Sequence, residues 1–249
     1  MKQRKAVFVS DIHAPYHDPK AILAVVDFIK WFKPDDIIFM GDVIDFYALS
    51  SFNKDPERAL RLQTEIDTAN EVIDQIRKAQ PKASVFLIRG NHEARLQRFL
   101  WKKAPELSGL SGLNVETLLK LKERKITYFE KGRMTYHGII VKHGDIVRKF
   151  AGYSAKAEME DEGMSGISAH THRIGMADRN TAGGRIKWIE CGCLCDMEQE
   201  YLEGRTPNWA TGIAIGYFYE NSKKYNILPL EIIDGKLLIL GDQFPKDGK

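Results

Sequence analysis

Cysteine is scarce in this chain: three residues in 249, all within one five-residue segment as Cys191, Cys193 and Cys195. An odd, clustered set argues against a disulfide framework and fits a reducing compartment. On a strand the three thiols would share one face, where they read as small buried hydrophobes rather than as a metal site, since no fourth thiol lies nearby. Long apolar runs are also missing, so no segment is suited to span a bilayer. The basic N-terminus leads straight into Ala6-Val7-Phe8-Val9, which reads as a first strand and not as a signal peptide. Charge of one sign is nearly balanced; a net +3 excludes a polycation. There is no internal repeat, low-complexity tract or clear linker. These absences leave a soluble protein, expected in the cytoplasm with no membrane association. Its 43% hydrophobic content is enough for a substantial core.

The first half alternates strands and helices. Short apolar strands are expected at Ala6 to Ser10, Asp36 to Met40 and Val85 to Ile88. Between them, Pro19 to Phe32 has helical spacing, with Asp18 as N-cap and Pro19 in the first turn. Pro56 to Ala79 reads as a long amphipathic helix, closed by Pro81. Apolar strands separated by helices imply a parallel sheet covered on both faces. The second half is richer in strands, expected at Ile126 to Phe129, Met134 to Tyr136, Ile139 to Lys142, Gly166 to Ala169, Arg185 to Cys193, Gly212 to Tyr219 and Asn226 to Leu240. Asp234-Gly235 marks a hairpin and Tyr153 to Glu162 a helix. The expected fold is α/β, with two facing mixed sheets forming a β-sandwich flanked by helices in four layers. A single domain over 1–249 is expected, with a cap or insertion at about 94–125.

Against this background, residues with metal-binding side chains recur in a fixed order. Asp11 and His13 follow the first strand, Asp42 the second, Asn91 and His92 the third; His143, His170 and His172 come later. In open α/β sheets ligands bind beyond the carboxyl ends of strands, so these pieces converge on one rim. Five of the seven histidines fall in these blocks. Any one of them alone would most often be a core or turn residue; together they read as ligands. Asp42, after Gly41 at a strand end, is the natural carboxylate to bridge two cations. Asn91, His143 and His170 suit a second ion, and Asp11, His13 and His172 a first. Two close metals are a device for attacking phosphate esters. His92 is surplus to either ion and is placed to protonate a leaving oxygen, with Asp45 as its hydrogen-bond partner or, alternatively, as a helix N-cap. Glu93 and Asp145 are candidates to support neighbouring ligands. Arg173, Asn91 and His17 are candidate substrate contacts, and Arg89 a weaker one.

The ordered set Asp11-x-His13, Gly41-Asp42-x-x-Asp45, Gly90-Asn91-His92-Glu93, His143-Gly144 and His170-x-His172 resembles the calcineurin-like metallophosphoesterase superfamily, over about two-thirds of the chain. The resemblance implies a helix-flanked β-sandwich and two divalent metal ions, manganese first, with iron, zinc or nickel as alternatives. Matched by position, Asp11, His13, Asp42 and His172 hold one ion, and Asp42, Asn91, His143 and His170 the other; His92 matches the proton donor. The chain departs from the family in two places. Ala169 stands where Gly usually precedes the final His-x-His pair. Phe46 stands where the serine/threonine phosphatases carry arginine, which turns the resemblance toward the compact phosphodiesterase and nuclease branches of bacteria and phages.

The expected activity is therefore metal-dependent hydrolysis of a phosphodiester, with DNA, RNA or a nucleotide as the partner class. The runner-up is a phosphomonoesterase with the same metals. A non-catalytic metal-binding interaction scaffold, which some members of this superfamily have become, would carry broken ligands, and here the set is intact. Between Ala94 and Arg133 there are ten Lys or Arg against four Asp or Glu, a local +6 that can steer an anionic substrate, or simply form a solvated helix face. Phe99, Trp101 and Tyr128, in and beside that stretch, can stack on bases or serve the core. Nothing in the sequence indicates the oligomeric state.

Overall fold

Apolar residues set three parallel strands side by side: β1 (Gln3–Val9), β2 (Asp36–Phe39) and β3 (Ser84–Ile88). The computed structural model describes residues 3–55, 61–198, 206–220 and 224–246. β4 (Ile126–Phe129) extends the parallel group beyond β3. On the other side of β1, β10 (Gly212–Tyr219), β11 (Tyr225–Ile233), β12 (Lys236–Ile239) and β13 (Asp242–Phe244) continue the sheet antiparallel. The second sheet has five strands in the order β5-β6-β7-β9-β8: β5 (Arg133–Tyr136), β6 (Ile139–Lys142), β7 (Gly166–Ser168), β9 (Gly184–Cys191) and β8 (Ile174–Thr181). β6, β7 and β9 are mutually parallel.

Period-two alternation gives each strand of the first sheet two apolar faces, and each face has its own partner. Val7, Val9, Ile37, Phe39, Val85 and Leu87 face the helices α1 (Pro19–Phe32) and α2 (Leu62–Ala79) in one continuous core. Phe8, Ile38, Met40 and Ile88 point the other way and meet Ile139, Val141, Ile167 and Ile189 of the second sheet. The far face of that sheet, through Ile140 and Trp188, packs on Ala155 and Met159 of α5 (Tyr153–Glu162). Helix, sheet, sheet and helix make the expected four layers.

Where local chemistry is strong, the elements fall as the sequence predicts. α1 runs from Pro19 to Phe32, and the Asp18 carboxylate accepts from the backbone N–H groups of Lys20 and Ala21. Asp234 and Gly235 both have positive φ, 50° and 71°, as a two-residue hairpin turn requires. The predicted strand 226–240 is thus two strands, β11 and β12, folded at that turn. The start predicted for α2, at Pro56, lies outside the described residues. The predicted strand Arg185 to Cys193 stops at Cys191, because Gly192 turns the chain with φ 84°. Only Cys191 therefore lies on a strand.

Beyond the expectation the structure adds β8, β13, α3 (Glu93–Lys103), a short α4 (Val115–Leu118) and two 3-10 turns. α3 begins directly after the Gly-Asn-His block. Its Leu96 and Leu100 are buried in the core shared by α1 and α2, and so are Val115 of α4, Leu119 and Leu121. No described helix is long and apolar enough to cross a membrane.

Candidate metal centre

The carboxyl ends of β1, β2, β3, β6 and β7 open onto one rim, and each delivers its motif there. The rim loops are bonded to one another through their backbones. His13 N–H donates to the Asp42 carbonyl at 2.9 Å, Leu194 N–H to the Asp11 carbonyl at 3.1 Å, and Ala169 N–H to the His143 carbonyl at 2.8 Å. Five of the seven predicted ligands have left-handed backbones: Asp11, His13, Asp42, His170 and His172, with φ of 49°, 51°, 51°, 68° and 57°. Such conformations are costly for non-glycine residues and persist where the surroundings impose them, commonly at functional sites. Ala169 is not among them; the strain sits on the two histidines themselves.

The ring tautomers follow from the partners. His143 Nδ1 lies 2.9 Å from the Met40 carbonyl, which can only accept, so Nδ1 carries the hydrogen. Nε2 of the neutral ring is then a bare acceptor, yet it faces Asn91 Oδ1 at 2.9 Å and Asp42 Oδ2 at 3.2 Å. The same conflict recurs beside it. His13 Nδ1 donates to Asp45 Oδ2 at 3.1 Å, which leaves His13 Nε2 facing His172 Nε2 at 3.1 Å. Asp11 Oδ1 is buried with no hydrogen-bond partner, 3.3 Å from His172 Nε2. The other Asp11 oxygen accepts from His170 N–H at 3.0 Å. Where the facing ring nitrogens carry no hydrogen, these groups are acceptors that a cation would draw together. Asp11, His13 and His172; His13, Asp42 and His92; and Asp42, His143 and His170 each offer ligand atoms within 4.8 Å of one another. Through the shared His13 and Asp42 they form one cluster, which Asn91 joins at His143. The donor set of carboxylate, amide oxygen and imidazole suits manganese, iron or zinc.

The electrostatics carry the same signature. Burial opposes ionisation of Asp42, but the His143 and His92 imidazoles hold its carboxyl well below the usual carboxylate range. Burial pulls the His143 imidazole down, yet Asp42 overcomes it and pushes it up to about 9. His13, similarly opposed by burial, is held well above its ordinary value by Asp11 and Asp45. His170 and His172 are pulled down, chiefly by burial. The carboxylates thus favour positive charge at the imidazole nitrogens that face them.

Asp45 is more than a partner for His92. Its carboxylate faces His13 Nδ1 at 3.1 Å, His92 Nδ1 at 3.3 Å and Arg95 at 2.9 Å, and its carbonyl accepts from His92 Nδ1 at 2.9 Å. It is no N-cap, since the 3-10 turn Tyr47–Leu49 is preceded by Phe46 with no side-chain cap. Anchoring of Nδ1 leaves His92 Nε2 turned inward, 3.8 Å from Asp42 Oδ2 and 3.0 Å from Arg95. Arg95 was invisible in the sequence pattern. It lies three residues after His92 on the first turns of α3, and i,i+3 spacing on a helix brings the two together. Position 46, where the phosphatase pattern has arginine, is a fully buried core phenylalanine.

The carboxylate of buried Glu93 accepts from the backbone N–H groups of Asp42 at 2.8 Å, Val43 at 2.7 Å and Gly90 at 2.8 Å, and so fixes the loop that presents Asp42. Asp42 Oδ1 accepts from His92 N–H at 2.8 Å, which leaves Oδ2 to the imidazoles. This close approach requires glycine at position 90, where a Cβ would lie 2.1 Å from Asp42 Oδ1.

The other candidates are placed differently. Arg173 is committed to backbone carbonyls of Asn208 at 3.2 Å and of Arg148. His17 forms an isolated bridge with Cys195, and burial lowers its pKa. The Asp145 side chain is 82% exposed and pairs with Lys142 rather than with a ligand. Arg89 donates to Gln97 at 3.3 Å. All three cysteines are buried and free, and burial pushes the Cys191 thiol up to about 12, out of reactive range. Cys193 and Cys195 nevertheless come within ligand distance of His172, and Cys195 Sγ lies 3.6 Å from His172 Nδ1. The expectation that they serve only as core hydrophobes is therefore incomplete.

Comparison with known proteins agrees with this geometry. A family model described as calcineurin-like phosphoesterase matches residues 4–182, a span that holds every predicted ligand. The chain is 29% identical over 258 residues to the Gene 54 protein of Mycobacterium phage D29, covering 98% of this chain and 97% of that one. The Gene 54 protein of Mycobacterium phage L5 is 26% identical over 259 residues, covering 99% and 98%. Among solved structures, Vacuolar Protein Sorting 29 from Cryptosporidium parvum shares the fold with a TM-score of 0.53 at 13% identity, over 99% of this chain and 100% of that one.

Proposed function

The chain belongs to the calcineurin-like phosphoesterase family, and from that premise we propose that it hydrolyses phosphodiesters, those of nucleic acid or nucleotides, at a centre holding two divalent ions. Asp11, His13, Asp42 and His172 would hold one ion; Asp42, Asn91, His143 and His170 the other. Manganese is the first choice. The observation that supports this reading is the paired convergence of ligand-type atoms near Asp42 Oδ2: His13 Nε2 with His172 Nε2 at 3.1 Å, and His143 Nε2 with Asn91 Oδ1 at 2.9 Å. Two such pairs near one carboxylate oxygen fit two cations.

When bound, the ions would lower the pKa of a water and neutralise phosphoryl oxygens. The chain's own residues supply the rest. Asp42 Oδ2 sits near both pairs, and Glu93 and Gly90 hold its loop in place. His92 is anchored through Nδ1–H to the Asp45 carbonyl, and its inward Nε2 accepts from Arg95 N–H at 3.0 Å; as an imidazolium beside the Asp45 carboxylate, it would give the proton on Nε2 to the leaving oxygen. Arg95, beside that nitrogen, is placed to hold a phosphoryl oxygen. Its charge is already shared with Asp45, which suits a singly charged diester better than a doubly charged monoester.

A manganese-supplemented panel tests this. It compares an aryl phosphodiester, an aryl phosphomonoester, cyclic nucleotides, and single- and double-stranded DNA. Higher kcat/KM for diesters is expected; a monoester preference overturns the diester assignment. A protein that binds metal and turns over none of them would be a scaffold.

A further inference from the structure

Three cavities meet at α3, and they differ in how their charges are satisfied. One, of about 290 Å³ beside His143, shares Arg98 with the third and is also lined by Arg89, Lys131 and Asp145; its Arg133 and Lys142 both pair with Glu162, at 2.9 and 3.1 Å, and Lys142 also pairs with Glu158. A second, of about 260 Å³ around Trp101 and Tyr128, includes Glu93, Glu116 and Glu130. The third, of about 520 Å³, lies between residues 49–54 and α3, with Asn91 and Arg95 at its inner end. Its cations are Lys54, Arg95, Arg98, Lys102 and Lys103, and among the described residues no acidic one lines it. Among the described residues no acidic side chain pairs with Arg98, Lys102 or Lys103.

Two further features mark this cleft. Arg95, Arg98 and Lys102 stand at i, i+3 and i+7, so one face of α3 carries a row of cations about 10 Å long, at 1.5 Å of rise per residue, that starts at the metal centre. Phe52 and Phe99 line the same cleft, and Phe52 is 76% exposed. A phenylalanine so open to water, beside unpaired cations, offers a flat apolar face where phosphates would be held. Stacking of bases on such faces is how proteins hold single strands without reading sequence. A duplex keeps its base faces stacked internally and could not use it.

We propose that this cleft binds one single strand of nucleic acid, its phosphates along Arg98, Lys102 and Lys103, its bases against Phe52 and Phe99, and one phosphodiester at the metal centre. This rests on the diesterase reading above, deepens it to a single-stranded polynucleotide substrate, and assigns α3 the task of holding the strand.

The test is binding, measured by fluorescence anisotropy with a labelled oligothymidylate on the full chain with no metal added, so that it does not depend on turnover. Wild type should bind the single strand about tenfold or more tightly than a duplex of the same length. Lys102→Glu with Lys103→Glu should weaken single-strand binding at least about tenfold and reduce the slope of log K against log salt by about 1.4, roughly 0.7 per lost phosphate contact. Phe52→Ala, which leaves the charge alone, should weaken binding with the salt slope unchanged. Preference for the duplex, or a double variant that binds like wild type, overturns the proposal. Failure of the diesterase reading would show separately, as an aryl diester left intact by manganese-loaded wild type.

Discussion

Around Asp42 nearly every polar group is buried and held by another, whereas farther along α3 Arg98, Lys102 and Lys103 stand exposed, with no described acidic side chain paired to them. At the rim, backbone strain at five residues, the Glu93 cradle and the Asp45 hub fix side chains before any substrate arrives. In the cleft Lys102 and Lys103 are held by no described acidic side chain, and such long flexible side chains can follow a ligand whose shape varies. The difference separates two tasks. Chemistry needs positions held to fractions of an ångström, and strained or desolvated groups are tolerated for it. Holding a polyanion needs charge within reach, and rigidity would be wasted there.

The comparison breaks most visibly at Asp42. If one carboxylate serves both ions, Asp42→Asn should empty or cripple both, with turnover falling at least about a thousandfold, a loss of ~4 kcal/mol of transition-state stabilisation. Metal content and single-turnover rates on an aryl diester check this. Next is His92→Ala. Its effect should fall on kcat by about 10²- to 10⁴-fold for an alkyl diester with a poor leaving group, with the metal still bound; unchanged turnover on that ester would remove His92 from the chemistry.

Glu93→Ala tests the rigid side of the contrast without touching substrate. Three backbone N–H groups lose their acceptor, each worth about 1–3 kcal/mol when buried and unpaired. Tm should fall steeply, and Glu93→Gln, which keeps one acceptor oxygen, should lose less. The smallest effect is a dependence on pH. Buried Glu65 accepts from the N–H groups of Tyr47 and Ala48, next to the Asp45 loop, and burial is the main reason its carboxyl is pushed up to about 7 from an ordinary 4.5. The folded protein thus holds a proton that the unfolded chain releases. The stability this contributes, about 3 kcal/mol at 1.36 per pH unit, is complete below about 4.5, falls as pH rises, and is gone above about 7. Tm of wild type relative to Glu65→Gln should decline across that window; a constant difference would show an ordinary carboxylate.

Legibility in the sequence follows the same division. The parallel strands and α1 could be read because apolar runs, Asp18 and Pro19 act locally. The blocks of ligand-type residues could be read because each ends a strand, so order in the chain became convergence in space. α3 escaped because its apolar stripe is narrow, with only Ala94, Leu96 and Leu100 buried among polar neighbours, and because it starts inside a motif that draws the eye to ligands. β8 escaped as an exposed edge strand with mostly polar residues at its far end. The role of Arg95, and the second contact of Asp45 with His13, needed the fold, whereas the pairing of Asp45 with His92 could be read in the sequence. Of the three aromatics proposed to stack on bases, Phe99 faces the basic cleft, while Trp101 and Tyr128 line the acidic cavity across α3.

One cluster built around Asp42 is proposed to hold two ions. Titration of metal-stripped protein with manganese, followed by calorimetry and by elemental analysis of the saturated protein, measures it most directly. Two manganese ions per wild-type chain are expected, with less than one retained by Asp42→Asn at the same free concentration. A single ion in wild type, or two ions retained by Asp42→Asn, would contradict the shared carboxylate and the two-metal reading with it.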